Sequence, residues 1–359
     1  MKAAVLYEPQ TPLVVEDVDL EGPKQGEVLV KVAAAGVCHS DLSFMEGRWK
    51  IRTPLVMGHE GAGVVEEVGD GVTSVQAGDH VVFSWVASCG VCRNCSRGKP
   101  YLCSDTPLST MKDGSTRLKR GDVKLFHQTG VSSFAEYAVM HETSMVKIRE
   151  DAPLDKASLV SCGVLTGVSA VVNAAKVELG SSVAVFGCGG VGLNVIQGAK
   201  MVGATKIIAV DKLDSKLAMA KEFGATHSVN ATTEDAVARI KEITGGGVDY
   251  AFEVIGMPEV VAQAFDATDT AGTTVMVGMP PLRAPLTINT LGLFTGKTLK
   301  GAYFGSAHFR TEIPALVDLY MQGRLKLDEL ISRTYPLAEI NDAFAAMKGG
   351  EVARSIIKF

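Results

Sequence analysis

From residue 182 to residue 304, short apolar and β-branched runs alternate with segments of helical length, and this alternation constrains the fold more than any other feature. Residues 182–186 read as a strand, a glycine turn follows, and residues 191–202 have the length of a helix. The series continues with strands at 206–210, 227–229 and 248–254 and helices at 214–223 and 233–243. A helix at 258–267 and strands at 273–278 and 298–304 close it. Strands that alternate with helices are joined by right-handed crossovers and make a parallel sheet, so an α/β layer is expected here. Residues 1–160 differ: β-branched runs punctuated by glycine suit a β-rich domain with irregular loops. After about residue 305 the alternation stops, and 355–359 reads as a final strand. The expected organisation is one domain of residues 1–163 and 304–359, interrupted by a nucleotide-binding domain of residues 164–303.

The glycine turn is Gly187-Cys188-Gly189-Gly190-Val191-Gly192, a G-x-G-x-x-G between a strand and a helix. In that setting the first glycine permits the tight turn, the second lets a pyrophosphate approach the backbone, and the third lets helix and strand pack closely. The helix N-terminus supplies free N–H groups and positive dipole to the phosphates. Asp211 ends the next strand, where an acid accepts hydrogen bonds from the adenosine ribose and repels the extra phosphate of NADP, so NAD is the expected dinucleotide. Cys188 reads as a small packing residue.

Four of the seven cysteines, Cys89, Cys92, Cys95 and Cys103, form C-x2-C-x2-C-x7-C. A short loop with thiolates at this spacing can wrap one tetrahedral zinc, and such a closed site is structural. Arg93, Arg97 and Lys99 offset its negative charge. Two disulfides are the competing reading, but C-x2-C neighbours close strained loops. Cys38 and Cys162 remain, with His59 in Gly58-His59-Glu60-Gly61. Two thiolates and one imidazole would leave the fourth position of a catalytic zinc open, although spacing alone does not assemble so distant a set.

The formal charge of −5 shows no basic excess, so neither nucleic acid nor an anionic membrane is an expected partner. The first ten residues, MKAAVLYEPQ, lack the apolar run of a signal peptide. No stretch reaches the roughly 20 apolar residues of a membrane helix. A reducing, cytoplasmic setting is the expectation.

Cys38-His39-Ser40-Asp41, Gly58-His59-Glu60, the four-cysteine loop, Cys162-Gly163, the Gly187 to Gly192 turn and Arg354 occur in one order. In this the chain resembles, from end to end, the zinc-dependent medium-chain alcohol dehydrogenases. The resemblance implies a GroES-like β-barrel catalytic domain and a Rossmann doubly wound parallel-sheet domain, with the active site in the cleft between them. It also implies two zinc ions per chain. Cys38, His59 and Cys162 match the catalytic zinc ligands, and Cys89, Cys92, Cys95 and Cys103 the structural ones. Glu60 matches a carboxylate that assists ligand exchange, Asp41 the acid that orients the ligating histidine, and Ser40 the hydroxyl that bonds the substrate oxygen. Asp211 and Lys216 match ribose contacts, His39 and Arg354 groups near the pyrophosphate, and Thr166 and Val191 residues that press on the nicotinamide. Many relatives complete a proton relay with a histidine where this chain has Ser43, which leaves His39, water or the cofactor ribose as its end.

The implied activity is oxidation of a primary alcohol, allylic or aromatic among them, to the aldehyde, and the reverse. By position, Trp49 and Trp85 would line the substrate pocket, with Leu108, Met279 and Tyr303 further out. The glutathione-dependent, formaldehyde-oxidising branch carries acids around residues 47–52, where Arg48, Lys50 and Arg52 stand here, and an arginine near Pro107 that is absent. A glutathione adduct is therefore less expected than a simple alcohol, while another anionic thiol adduct remains open. So do a nicotinoprotein that retains NAD between turnovers and a non-catalytic zinc and NAD binding protein. The stretch 111–130 resembles the longer loop of the dimeric branches. Residues 286–299 lie where the family's Rossmann domains pair edge to edge, so a homodimer or a homotetramer is expected.

Overall fold

Strands Ser182–Phe186, Lys206–Asp211, His227–Asn230, Val248–Glu253, Thr268–Met276 and Thr298–Gly301 pair in parallel throughout. Numbered along the chain, they stand in the order 3-2-1-4-5-6, so the direction of winding reverses between Ser182–Phe186 and Val248–Glu253. That is the doubly wound arrangement, with its ligand crevice at the carboxyl ends of the two strands flanking the switch. Ala184, Phe186, Ile208, Val210, Val229 and Ala251 pack in one buried cluster with the helices Ala236–Thr244 and Pro258–Ala267. This fits the near-continuous apolar runs of a sheet covered on both faces.

The computed structural model describes residues 1–350 and 352–359. It divides into two compact units, Met1–Cys162 with His308–Phe359, and Gly163–Ala307. Among the element boundaries that differ from the sequence reading, the strand expected from residue 273 begins at Thr268, and two others have a visible local cause. The helix expected from residue 233 begins at Ala236, because the Asp235 carboxylate accepts the Ala238 N–H at 3.0 Å and caps the helix there. The strand expected over 298–304 ends at Gly301, since Phe304, Gly305 and Ser306 have φ of +52°, +65° and +59°, which no strand accommodates.

In the other unit, the long strand Glu27–Val37 is central. It pairs with Ala62–Val68, Tyr137–His141 and the late strand Arg354–Lys358, all antiparallel. Register matters at one end: Ser355 faces Val37, which brings Arg354 next to Cys38. A second sheet holds Lys2–Leu6 between Val14–Asp17 and Leu55–Val56, and continues through Val123–His127 and Leu118–Arg120. The last two make a hairpin within the stretch read from sequence as a long loop. Among the described residues no single helix is long and apolar enough to cross a membrane.

Candidate active site

Cys38 leaves the end of Glu27–Val37 and precedes the short helix His39–Met45. Asp41, three residues on, turns back so that its Oδ2 accepts the Cys38 N–H at 3.2 Å, while its Oδ1 accepts from His59 Nδ1 at 2.7 Å. One carboxylate thus ties the backbone of Cys38 to the ring of His59. With Nδ1 donating to Asp41, Nε2 is the ring nitrogen left to face a metal. His59 is held in register by Gly58, whose φ is +97° and where a Cβ would lie 2.5 Å from Phe134 N, so only glycine suits the turn.

The ligand atoms of Cys38, His59, Glu60 and Cys162 lie within 4.8 Å of one another. Cys162 arrives from the short helical turn Ser158–Ser161, which Ser161 Oγ anchors by donating to Phe83 O at 2.7 Å. A hydrogen bond with Cys162 holds Cys38 well below the ordinary thiol range and Cys162 well above it, with His59 and Arg354 also favouring the Cys38 thiolate. For His59, burial favours the neutral ring, but the Asp41 carboxylate outweighs it and raises the imidazole. Burial likewise pushes Glu60 up to about 8 against the pull of Arg354. Glu60 Oε2 contacts Arg354 Nη2, whereas Glu60 Oε1 is buried without a hydrogen-bond partner, 3.9 Å from His59 Nε2. Two thiol groups, the imidazole Nε2 and an orphaned carboxylate oxygen meeting in a buried space are the donor set of a zinc ion.

The four remaining cysteines also converge. Cys89 and Cys95 Sγ are 4.0 Å apart, as are Cys92 and Cys103 Sγ. Thiolates about 2.3 Å from a tetrahedral zinc stand about 3.8 Å from each other, whereas disulfide sulfurs stand about 2.0 Å apart. The loop prepares thiolates: Cys92 caps the turn Arg93–Ser96, and the Cys95 N–H directed at its Sγ is the chief cause of a pKa lowered to about 5. Burial pushes Cys103 up to about 12, which a bound cation would reverse.

In the parallel-sheet unit the glycine turn follows Phe186 and opens the helix Gly190–Met201. Gly187 has φ +100°, a Cβ on Gly192 would come within 1.8 Å of Gly187 O, and a Cβ on Gly189 would meet nothing within 4 Å. The first and third glycines are therefore required by the fold, and the second leaves the open approach a pyrophosphate needs. Asp211 Oδ2 accepts the Cys188 N–H at 2.8 Å, and Oδ1 accepts from Lys212 and Leu213 N–H, so the carboxylate is fixed at the edge of the turn. Lys216 is half-buried on the neighbouring helix Asp214–Phe223. Thr166 sits beside Gly167, where a Cβ would be 2.7 Å from Val191 O, which places Thr166 and Val191 at one locus. Cys188 is buried, as a packing residue should be.

The chain matches the Alcohol dehydrogenase GroES-like domain over residues 24–150 and the Zinc-binding dehydrogenase domain over residues 190–322. It is 41% identical to Alcohol dehydrogenase class-3 of Dictyostelium discoideum, over 99% of this chain and 97% of the relative. The chain belongs to the zinc-dependent medium-chain alcohol dehydrogenases. It is 42% identical to S-(hydroxymethyl)glutathione dehydrogenase of Paracoccus denitrificans, over 100% of this chain and 99% of that one. The crystal structure of benzyl alcohol dehydrogenase from Acinetobacter calcoaceticus superimposes with a TM-score of 0.95 at 38% identity, covering 100% and 99% of the two chains. The expected fold, a GroES-like domain with a Rossmann domain, is thereby borne out, as are an NAD-dependent alcohol dehydrogenase activity and zinc and NAD as cofactors.

Ser40 is half-buried and His39 exposed in the first turn after Cys38. Ser43 Oγ donates to His39 O at 2.9 Å, so the hydroxyl that replaces the relay histidine bonds its own helix. Trp85 stands edge-on to the His59 ring at 6.4 Å between centroids, beside the candidate metal site. Trp49 packs edge-on against Phe44 at 5.4 Å. Leu108, Met279 and Tyr303 are each about half exposed, the last two in the Gly163–Ala307 unit. Arg354, matched to a group near the pyrophosphate, is buried with its Nη2 against Glu60 Oε2. Sequence reasoning missed Gln128 and Gly36: Gln128 Nε2 donates to Asp41 Oδ1 at 2.7 Å, and a Cβ on Gly36 would lie 2.2 Å from Glu60 Oε2. Nothing in the local sequence of either signals its role.

Proposed function

We propose that this dehydrogenase oxidises primary alcohols, allylic and aromatic ones among them, to aldehydes, and runs the reverse. The observation that carries this reading is the buried convergence of Cys38, His59, Cys162 and Glu60, with Trp85 edge-on to the imidazole. Cys38, His59 and Cys162 would hold the catalytic zinc, and Cys89, Cys92, Cys95 and Cys103 the structural one. When bound, zinc supplies Lewis acidity and NAD accepts a hydride. Ser40 Oγ would hold the substrate hydroxyl and take its proton, passing it outward. Asp41 would keep His59 in the tautomer that leaves Nε2 free, and Glu60, with one unpaired oxygen, would assist exchange at the open position. The Gly187 to Gly192 turn would receive the pyrophosphate, Asp211 and Lys216 the adenosine ribose, and Thr166 and Val191 the nicotinamide. An aromatic wall buries flat or slender apolar alcohols well. The aromatic alcohol named for the Acinetobacter calcoaceticus structure supports the same choice.

A second reading is favoured by the names of two relatives at 41% and 42% identity, a class-3 enzyme and an S-(hydroxymethyl)glutathione dehydrogenase. A hydroxymethyl thiol adduct is itself a primary alcohol, so the same residues would act on it. Arg48, Lys50 and Arg52 are exposed and could receive an anionic thiol. A panel of aliphatic, allylic and aromatic alcohols, and of formaldehyde with and without added thiols, read by nicotinamide absorbance, separates the two. Turnover of benzylic or allylic alcohols without thiol supports the first reading. Activity confined to formaldehyde plus a thiol selects the second.

The strand Thr298–Gly301 is an edge of the parallel sheet, and Leu291, Leu293 and Phe294 nearby are exposed, with Phe294 88% accessible. An uncovered edge flanked by apolar side chains supports a homodimer, alone or as half of a tetramer. A monomer by size-exclusion chromatography with light scattering would remove this assignment.

A further inference from the structure

Gln128 follows the strand Val123–His127 and is fully buried. Its Nε2 donates to Asp41 Oδ1 at 2.7 Å, and its Oε1 accepts the Gly58 N–H at 2.6 Å. Chemistry fixes this orientation of the amide. A backbone N–H can only donate, so a flipped amide would set donor against donor at Gly58 and oxygen against oxygen at Asp41. Nε2 is also 3.4 Å from His59 Nδ1, a contact of two donors that share the same Asp41 oxygen.

The loop that presents this amide is strained. Thr129, Gly130 and Ser132 have φ of +51°, +68° and +58°. A non-glycine residue in that region is strained and persists only where its surroundings over-determine it. Ser132 Oγ accepts the Gln128 N–H at 3.1 Å and donates to Val56 O at 3.0 Å, so the turn clamps the main chain of Gln128 while its side chain reaches the metal site.

Resting on the reading of Cys38, His59 and Cys162 as catalytic zinc ligands, we propose that Gln128 is a positioning residue for His59. It locks the Asp41 carboxylate that orients the imidazole and pins the backbone of Gly58, constraining the ligand through both its ring and its main chain. With the amide gone, Asp41 Oδ1 keeps only the imidazole, and the carboxylate is free to twist about its remaining bond to the Cys38 N–H. A ligand that is less well oriented binds its metal less well.

The test uses zinc-loaded full-length protein with Gln128→Glu, which keeps an acceptor for Gly58 and removes the donor to Asp41, and Gln128→Met, which removes both. Zinc release to a chromogenic chelator is followed in each, with Cys162→Ala identifying the phase that belongs to the catalytic site. That phase should accelerate about 10–100-fold in both Gln128 variants, with release from the four-cysteine loop unchanged. In cobalt-substituted protein the visible bands of the catalytic site should shift. Asp41→Asn combined with Gln128→Glu, which leaves the acceptor for Gly58 in place, should release zinc no faster than Asp41→Asn alone, because on the ring side Gln128 acts through that carboxylate. Catalytic-site release indistinguishable from wild type in both variants, even with a lower melting point, would overturn the proposal and leave Gln128 a packing residue. Multiplicative effects in the double variant would also overturn it. If Cys162→Ala keeps both phases, the ligand reading itself has failed and the proposal falls with it.

Discussion

Arg354 lies 294 residues beyond Glu60, yet its Nη2 contacts Glu60 Oε2 where both side chains are buried. The pairing of Ser355 with Val37 delivers the guanidinium to this place, and Gly36 makes room for it, since a Cβ there would be 2.9 Å from Nη2. Arg354→Leu should therefore destabilise the protein by about 1–3 kcal/mol, the scale for leaving a buried polar group without its hydrogen-bond partner. Adding Glu60→Gln should recover part of that loss, because the orphaned acid is then gone. Urea unfolding midpoints of the single and double variants measure both effects, and a wild-type midpoint for Arg354→Leu would refute the pairing.

Cys162→Ala should lower bound zinc from two to one per chain and abolish activity, while the remaining ion stays with Cys89, Cys92, Cys95 and Cys103. Metal analysis of dialysed protein counts the ions. An active variant that retains both would refute Cys162 as a ligand.

Cys103→Ala should instead act on folding. Cys103 is buried, its Sγ 4.0 Å from that of Cys92, and metal bound by such a loop contributes directly to the stability of the fold. Aggregation or a lower melting temperature is expected, with Cys38, His59 and Cys162 still able to hold metal. An unchanged melting temperature in the zinc-depleted variant would count against a structural ion.

The parallel-sheet unit was the most legible part of the chain, because its inner strands Ser182–Phe186, Lys206–Asp211 and Val248–Glu253 carry local apolar runs and the segments between them have helical length. Even the misplaced start at residue 233 had a visible cap in Asp235. The prospective metal ligands were assigned through family resemblance, since Cys38, His59 and Cys162 are far apart in sequence and only strand register unites them. Asp41 was matched as a partner of His59, but its second bond, to the Cys38 N–H, depends on the helix beginning at His39. Gln128 was invisible for a different reason. Its importance lies in a turn with left-handed Thr129 and Ser132, and neither residue type announces such a conformation.

Ser40 occupies the first helical turn after Cys38, half-buried, where its hydroxyl is the proposed first proton acceptor. Ser40→Ala should lower turnover by about 10²–10⁴, the scale for a lost proton-transfer group, with zinc content unchanged. Ser40→Thr keeps the hydroxyl and should retain most of the activity. Turnover is best read with a substrate whose deuteration slows the reaction, so that the chemical step is being observed. Undiminished turnover of the alanine variant under those conditions would remove Ser40 from the mechanism.

His127 provides a pH dependence that is separate from the metal ligands. It is buried, with Nε2 accepting the Arg117 N–H at 3.2 Å, and burial, aided by the charge of Arg117, pushes its pKa down to about 3. An unfolded histidine titrates near pH 6.5, so between about 6.5 and 3 the unfolded chain binds a proton that the folded chain refuses. Stability from this group is therefore complete above about pH 6.5 and declines as pH falls. From about pH 7.5 to about pH 5.5 the loss should be about 1.4 kcal/mol. His127→Gln lacks the titrating ring, so its unfolding free energy should fall less over the same interval, whatever its absolute stability. Denaturant unfolding of both proteins in zinc-buffered solution at the two pH values gives the difference in slope, and parallel slopes would show that His127 is not held neutral by the fold.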